Sequence, residues 1–235
     1  MNNLLKLQQW LIDNDLDAFI CFRTDEFLSE YIAPYGERLK WISNFSGSAG
    51  KAIIKQNSAT IYVDGRYTIQ AHEEVDLNSF TIEHLNDFSD WLKSNLHNKL
   101  KVGLDPHLHS KKDLELIEEI IDETDIEIRL INNNPIDQLW ENQPARPRSK
   151  AFQHALQYSG MSAEKKILQI QSMIQSKQCD YYIVSTLDSI AWLLNMRGND
   201  ILYTPLNLAY VVITQEKKIE LFIDEEKIQD IKSKI

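Results

Sequence analysis

The chain has 235 residues, 43% of them hydrophobic, which is enough for one large or two modest domains with real cores. Its formal net charge of −10 counts against a general nucleic-acid binder, because duplex DNA repels an acidic chain that lacks a concentrated basic face. No window reaches the ~18 consecutive apolar residues of a membrane span, and the start, M-N-N-L-L-K-L-Q-Q-W, lacks the basic-then-apolar layout of a signal peptide. Cys21 and Cys179 lie far apart, each in an apolar, strand-like run. Both are expected to be buried thiols in a reducing cytoplasm, not a disulfide.

Leu4, Leu7 and Leu11 form the apolar stripe of a helix from Asn3 to about Asn14, where Asn14 suits a left-handed C-cap. A buried strand, Ala18–Phe22, follows. The stretch from Trp41 to Tyr67 is the most informative. It holds two strands, Lys51–Ile54 and Thr60–Val63, joined by a polar Gln56-Asn57-Ser58 turn. Gly47 and Gly50 precede the first strand, and Asp64-Gly65 ends the second and delivers Arg66. There Arg66 is either an ordinary surface cation or one presented to an anionic or carbonyl-bearing ligand. Next come a helix over Tyr67–Val75, a strand Phe80–Leu85, a helix Phe88–Leu96 and a strand Val102–Leu104. Ser110 with Asp113 forms a capping pattern that opens a helix to about Thr124, and strand Ile126–Ile131 closes the unit. Alternating helices and short apolar strands predict a three-layer α/β domain over residues 1–139.

Residues 140–160 change character. W-E-N-Q-P-A-R-P-R-S-K has two closely spaced prolines and no apolar period, and reads as a stiff interdomain linker. The basic cluster Arg146, Arg148 and Lys150 belongs to it. Residues 161–235 then begin the first pattern again. Ser162 caps a helix Ala163–Lys177 with Ile167, Ile170 and Ile174 on one face, and strand Tyr181–Val184 follows. W-L-L-N-M-R-G at Trp192–Gly198 echoes W-I-S-N-F-S-G at Trp41–Gly47, and L-A-Y-V-V-I-T-Q-E-K-K-I-E-L-F-I-D mirrors G-K-A-I-I-K-Q-N-S-A-T-I-Y-V-D. Order, spacing and residue character predict a duplicated fold. Copy two has no counterpart of the portion from Val75 to Asn132, so a second domain cut short is expected.

Taken together these residues resemble the N-terminal region of Xaa-Pro aminopeptidases, the long three-domain form of aminopeptidase P. The resemblance rests on S-E-Y-I-A-P at Ser29–Pro34, F-S-G-S-A-G at Phe45–Gly50, and V-D-G-R-Y with Gln70-Ala71. It continues through Val102-Gly103 with Asp105-Pro106, Trp140 with Pro144 and Arg146-Pro147, and L-D-S-I-A-W-L-L-N-M-R-G-N-D at Leu187–Asp200, then Pro205. It implies two creatinase-like α/β domains with mixed sheets, the second truncated here. It also implies a third, pita-bread domain, absent from these residues, where two divalent metals, usually manganese, activate a hydroxide against the bond before proline. Gln143 stands where the family's linker motif has arginine.

Within the chain, the H-x-H of His107 and His109 beside Asp105 reads as a solvated turn before it reads as a metal site. Ser48 in G-S-A-G lacks the G-x-S-x-G elbow, and a strand rather than a helix follows those glycines, so neither a nucleophile nor a phosphate loop is expected. No catalytic residue, metal ligand or cofactor is therefore assigned to the chain itself. By resemblance Arg66 contacts the bound peptide. Trp41, Trp192 and Asn195 either pack cores or shape the interdomain groove. Tyr31 and Glu30 either line the substrate approach or make structural hydrogen bonds. Arg197 and Asp200 either pair locally or face the catalytic domain.

The expectation is a non-catalytic part of a cytoplasmic, homodimeric enzyme that takes peptides with proline second and binds neither nucleic acid nor membrane. Its share of the work would be dimerisation, substrate access and substrate contact. A stand-alone peptide- or protein-binding module is the alternative.

Overall fold

The computed structural model describes residues 2–94, 99–121, 125–216 and 218–231. The chain divides into two compact units, Met1–Pro144 and Ala145–Ile235.

Unit 1 runs α1 (Asn3–Asp13), β1 (Ala18–Phe22), α2 (Arg38–Ser43), β2 (Gly50–Lys55), β3 (Ala59–Val63), α3 (Thr68–Glu74), β4 (Thr81–His84), α4 (Phe88–Ser94), β5 (Lys101–Leu104), α5 (Lys111–Ile121), β6 (Glu127–Leu130) and α6 (Pro135–Leu139). Its six strands form one mixed sheet in the order β4-β3-β2-β1-β5-β6. β1 pairs antiparallel with β2 and parallel with β5, and all five of its residues are buried. Alternation sends Phe19 and Cys21 to one face, with Leu4, Leu7 and Leu11 of α1, Leu39 and Ile42 of α2, Ala71 of α3 and Ile136 of α6. Ala18, Ile20 and Phe22 go to the other, under Phe88 and Leu92 of α4 and Ile117 of α5. The three layers expected from the sequence are present. The Ser110–Asp113 cap also forms, each residue's amide bonding the other's side chain at 3.1 Å.

Unit 2 runs β7 (Phe152–Gln153), α7 (Leu156–Ser159), α8 (Ala163–Ser176), β8 (Tyr181–Val184), α9 (Leu187–Leu193), β9 (Met196–Arg197), β10 (Tyr210–Thr214), β11 (Ile219–Phe222) and α10 (Glu225–Ile228). Its larger sheet, β11-β10-β8, repeats the β3-β2-β1 half of unit 1 with both pairings antiparallel.

The duplication reaches individual hydrogen bonds. Gln8 of α1 donates to Lys55 O (3.0 Å), and Gln171 of α8 donates to Thr214 O (3.2 Å). Asn3 donates to Trp41 O (2.9 Å), and Lys166 to Trp192 O (2.7 Å). Gln56 reaches Leu16 O, and Gln215 reaches Cys179 O. Left-handed backbone recurs at Asp15 (φ 56°) and Gln178 (φ 54°), and again at Asn44 (φ 65°) and Asn195 (φ 49°).

Three expectations differ from the structure. Asn14 is not left-handed (φ −108°), because its amide and its side chain both bond Trp10 O and prolong the helical turn, so Asp15 makes the reversal instead. Cys179 is exposed, in the turn before an edge strand, whereas Cys21 sits inside a central strand, where burial pushes its thiol up to about 12. The second half of the expected linker has structure: Phe152–Gln153 pairs with Met196–Arg197, and Ala151 N donates to Lys227 O at 2.8 Å. A two-residue strand leaves no periodic trace in sequence. The expected helix ends at Leu96 and Thr124 lie outside the described residues.

One buried ion pair ties unit 2 together. Asp200 accepts from Lys227 Nζ (2.7 Å), Leu208 N (2.8 Å), and Ser149 Oγ (2.6 Å). Both charged side chains are 0% exposed. Gly198 lets this loop close, since a Cβ there would lie 2.0 Å from the Asn207 side chain.

Removing one partner of such a pair strands a buried charge. Asp200→Ala should destabilise unit 2 by about 3–5 kcal/mol, read as lost hydrogen-exchange protection in β10 with unit 1 unchanged. A native thiol assay should find Cys179 reacting with an aromatic disulfide reagent at pH 8 and Cys21 only after denaturation.

Candidate functional site

The turn after β3 positions the cation singled out in the sequence. Asp64 ends the strand in extended backbone (ψ 146°) and caps the short 3-10 turn Gly65–Tyr67, its Oδ1 accepting from Arg66 N at 3.0 Å. The same oxygen accepts from Arg66 Nε at 2.8 Å. Arg66's guanidinium carbon lies 5.4 Å from the Tyr67 ring centroid, and its side chain is 66% exposed. The pair is self-supporting: Arg66's hydrogen bonds hold the Asp64 carboxyl below its ordinary value. Among the described residues no second acceptor engages Arg66.

The F-S-G-S-A-G loop is fixed from three sides next to this turn. Ser48 Oγ and Tyr67 OH are 2.7 Å apart. Arg23 Nη1 donates to Ser48 O (3.3 Å) and Glu30 O (2.7 Å), while its Nη2 donates to Glu37 Oε1 (3.0 Å). Glu74 accepts from Ser46 N and Ser46 Oγ, both at 2.7 Å, and from Gln70 at 3.0 Å. Burial opposes ionisation of Glu74, but these bonds outweigh it and its carboxyl is lowered. Gly47 allows the loop to fold over Phe45, whose ring would lie 2.2 Å from any Cβ there.

Of the other sequence candidates, Tyr31 is exposed on the loop that Arg23 holds through Glu30 O. Trp41 is half-buried on α2 and stacks on Trp140 with ring centroids 5.9 Å apart. In unit 2, Lys166 Nζ donates to Trp192 O and Asn195 Oδ1, both at 2.7 Å, and lies 4.4 Å over the Trp192 ring. Burial lowers the Lys166 ammonium, and neighbouring Arg197 adds to this. Asn195 Nδ2 donates to Met161 O (2.9 Å), and Arg197 Nη1 donates to Ala191 O (2.6 Å). These contacts hold unit 2 together. Asp200 takes Lys227, 27 positions away, as its buried partner rather than Arg197.

His109 is buried, and its Nδ1 meets Asp105 O at 2.7 Å, so that nitrogen carries the proton in the neutral ring. Asp105 also accepts from Asn134 Nδ2 (3.0 Å), closing a turn network at the end of β5. No group of three or more His, Cys, Asp or Glu side chains able to hold a metal lies among the described residues. Sequence reasoning missed Arg23, the bidentate Arg38–Asp137 pair (2.8 Å for both bonds) and the two bonds of Gln143, to Tyr35 O (2.9 Å) and Asp137 Oδ1 (2.7 Å). The departure at Gln143 was visible, but not the two acceptors it serves.

Residues 4–132 match the family described as Creatinase/Prolidase N-terminal domain, and residues 142–235 match a second family of the same description. The probable Xaa-Pro aminopeptidase P of Paracoccidioides brasiliensis (strain Pb03) is 35% identical over 235 residues, covering 97% of this chain and 38% of that protein. That of Ajellomyces capsulatus (strain NAm1 / WU24) is 36% identical over 230 residues, covering 96% and 37%. The chain thus spans a little over a third of the length of these curated relatives. Among solved structures, the X-prolyl aminopeptidase of Caenorhabditis elegans, described as a cytosolic enzyme with a di-nuclear active site, superposes with a TM-score of 0.90 at 28% identity, over 97% of this chain and 39% of that one. Duplicated sheet, paired left-handed turns and two matched segments agree: the chain belongs to the creatinase/prolidase N-terminal domain family.

Proposed function

We propose that this chain is the N-terminal part of an Xaa-Pro aminopeptidase, an enzyme that removes the first residue of peptides with proline second. In this reading unit 1 supplies Arg66 to the bound peptide. The two divalent metals, manganese by resemblance, belong to the region that the longer relatives have beyond the matched span. Hydrolysis at the dinuclear centre lies outside what these residues do, which is to bind, orient and restrict. The enzyme would work as a homodimer in the cytoplasm, with no nucleic-acid or membrane partner. No described helix is long and apolar enough to cross a membrane.

The observation that carries this reading is the way Asp64 holds Arg66. The aspartate engages Nε and leaves the terminal fork of the guanidinium facing outward. A planar fork of that kind matches a peptide carboxylate or carbonyl bidentately. Next to it the Ser48–Tyr67 hydroxyl pair and the Arg23-tied loop hold the surface still.

In a chimera that joins these residues to a relative's remaining region, Arg66→Ala should lower kcat/KM by roughly ten- to a hundredfold, the ~1.5–3 kcal/mol of a charged hydrogen bond. The melting temperature should not move. An unchanged kcat/KM, or a large fall in melting temperature, would return Arg66 to a structural role. The 235-residue chain incubated with manganese and an X-Pro tripeptide should release no N-terminal residue above buffer. Release by protein free of contaminating peptidase would refute the assignment of the metals elsewhere.

A further inference from the structure

Lys166 and Arg197 of unit 2 are neighbouring cations that bond only uncharged acceptors. Lys166 Nζ donates to Trp192 O and Asn195 Oδ1, and Arg197 Nη1 to Ala191 O (2.6 Å) and Met196 O (2.9 Å). The chain carries 35 Asp and Glu residues, yet among the described residues none pairs with either cation. Like charges held side by side repel, and the burial of Lys166 sharpens this. An anion placed beside them relieves both costs.

The free edge of the arginine suits one kind of anion. With Nη1 engaged, Nε and Nη2 have no partner among the described residues, and both are open to solvent. Arg38 shows what this edge takes, since its Nε and Nη2 grip the two oxygens of Asp137 at 2.8 Å each. The surroundings of Arg197 are aromatic. Phe152, 46% exposed, stands opposite Arg197 in the β7–β9 pair, so the two side chains leave the same face. Trp192, 51% exposed, follows Ala191, whose carbonyl anchors the guanidinium, and Lys166 Nζ lies 4.4 Å from its ring centroid.

Unit 1 gives the contrast. Ser46 stands in the place of Arg197 in the repeated W-x-x-N-x-x-G segment, and a carboxylate of its own unit, Glu74, accepts from it. Asn3, the counterpart of Lys166, is neutral. The shared fold therefore forms without either cation.

We propose that Arg197 and Lys166 form a binding site for a carboxylate carried on an apolar or aromatic group, the chemistry of a peptide's C-terminal residue or of a free N-acyl amino acid. The carboxylate lies along the Nε–Nη2 edge of Arg197, and the apolar group packs against Phe152 and Trp192. Lys166 adds its field from behind the Trp192 ring. The site belongs to unit 2 and does not involve Arg66, so it stands apart from the proposed function.

Titration of the chain with N-acetyl-L-phenylalanine, followed through the arginine Nε–H resonances, tests this. The Arg197 resonance should shift with a Kd of about 1 mM. The amide of the same compound should leave it in place, and acetate should bind roughly tenfold more weakly. Arg197→Lys keeps the charge but loses the planar edge, and should weaken binding roughly tenfold. Phe152→Ser should weaken N-acetyl-L-phenylalanine and leave acetate unchanged, and Arg66→Ala should alter neither. A short peptide ending in phenylalanine distinguishes the sources. Tighter binding than the free acid makes a chain end the ligand, equal binding makes it the free acid, and both sustain the site. An Arg197 resonance that stays still through the tens of millimolar would overturn the proposal. So would acetate binding as tightly as N-acetyl-L-phenylalanine, or a response that is lost in Arg66→Ala. The titration of the unaltered chain decides the matter even where a variant does not fold.

Discussion

Strand β1 is the constraint on which unit 1 depends. It is paired on both edges and buried on both faces, so each residue must satisfy its backbone laterally and its side chain vertically. Full burial of Phe19, Ile20 and Phe22 contributes about 1.5–3 kcal/mol each. Polar groups are consequently driven to the loops at the strand's end. Arg23, the first residue beyond it, ties the 30s loop to the F-S-G-S-A-G loop. The strength of the sheet interior is what allows an exposed turn such as Asp64–Arg66 to be held in one place.

Burial also sets the ionisation of the groups caught near that sheet. Asp25 is fully buried and its carboxyl is raised by desolvation, against the amides of Ser29 and Phe27. Glu37 is likewise raised by burial, although Arg23 pulls the other way. His109 is lowered by burial, with its ring 4.3 Å from that of Phe22. For His109 the unfolded chain binds the proton more tightly, so its contribution favours folding above the ordinary imidazole value and fades as pH falls below it. For the two raised carboxylates the folded state binds the proton more tightly, so stability drops as pH rises through their folded values. The terms oppose one another, and the lowered carboxyls of Asp64 and Glu74 act in the same direction as His109, their contributions fading in acid.

Much of this architecture was legible in the sequence. The Leu4-Leu7-Leu11 and Ile167-Ile170-Ile174 stripes have the helical period, and the hairpin from Lys51 to Val63 announces itself by two short β-rich runs around a polar turn. The repeat was legible because Trp41 and Trp192 sit in the same local frame. What stayed hidden depends on contacts distant in sequence. Nothing local in N-D-I-L says that Asp200 will meet Lys227 in a dry interior. Arg38 and Asp137 lie 99 positions apart, and only the packing of α2 against α6 brings them together. Cys179 misled because an apolar run implies burial only when its strand is covered on both sides, as that of Cys21 is.

The two copies treat one turn in opposite ways, and the contrast bears on Arg66. In unit 1 the aspartate after the second hairpin strand holds an exposed arginine two residues on. In unit 2 Asp224 occupies the same place, with Glu226 two residues on, paired at 3.4 Å with Arg148. There the lysine after it, Lys227, turns inward to Asp200 and lies 3.5 Å from Asp224. The turn thus folds with a cation outside or with a cation buried, and the backbone does not require either. A charge that the fold needs should recur in both copies. Arg66 does not recur, and with 66% of its side chain in water it contributes little to the stability of its own unit. Its position is one that the fold permits and does not require.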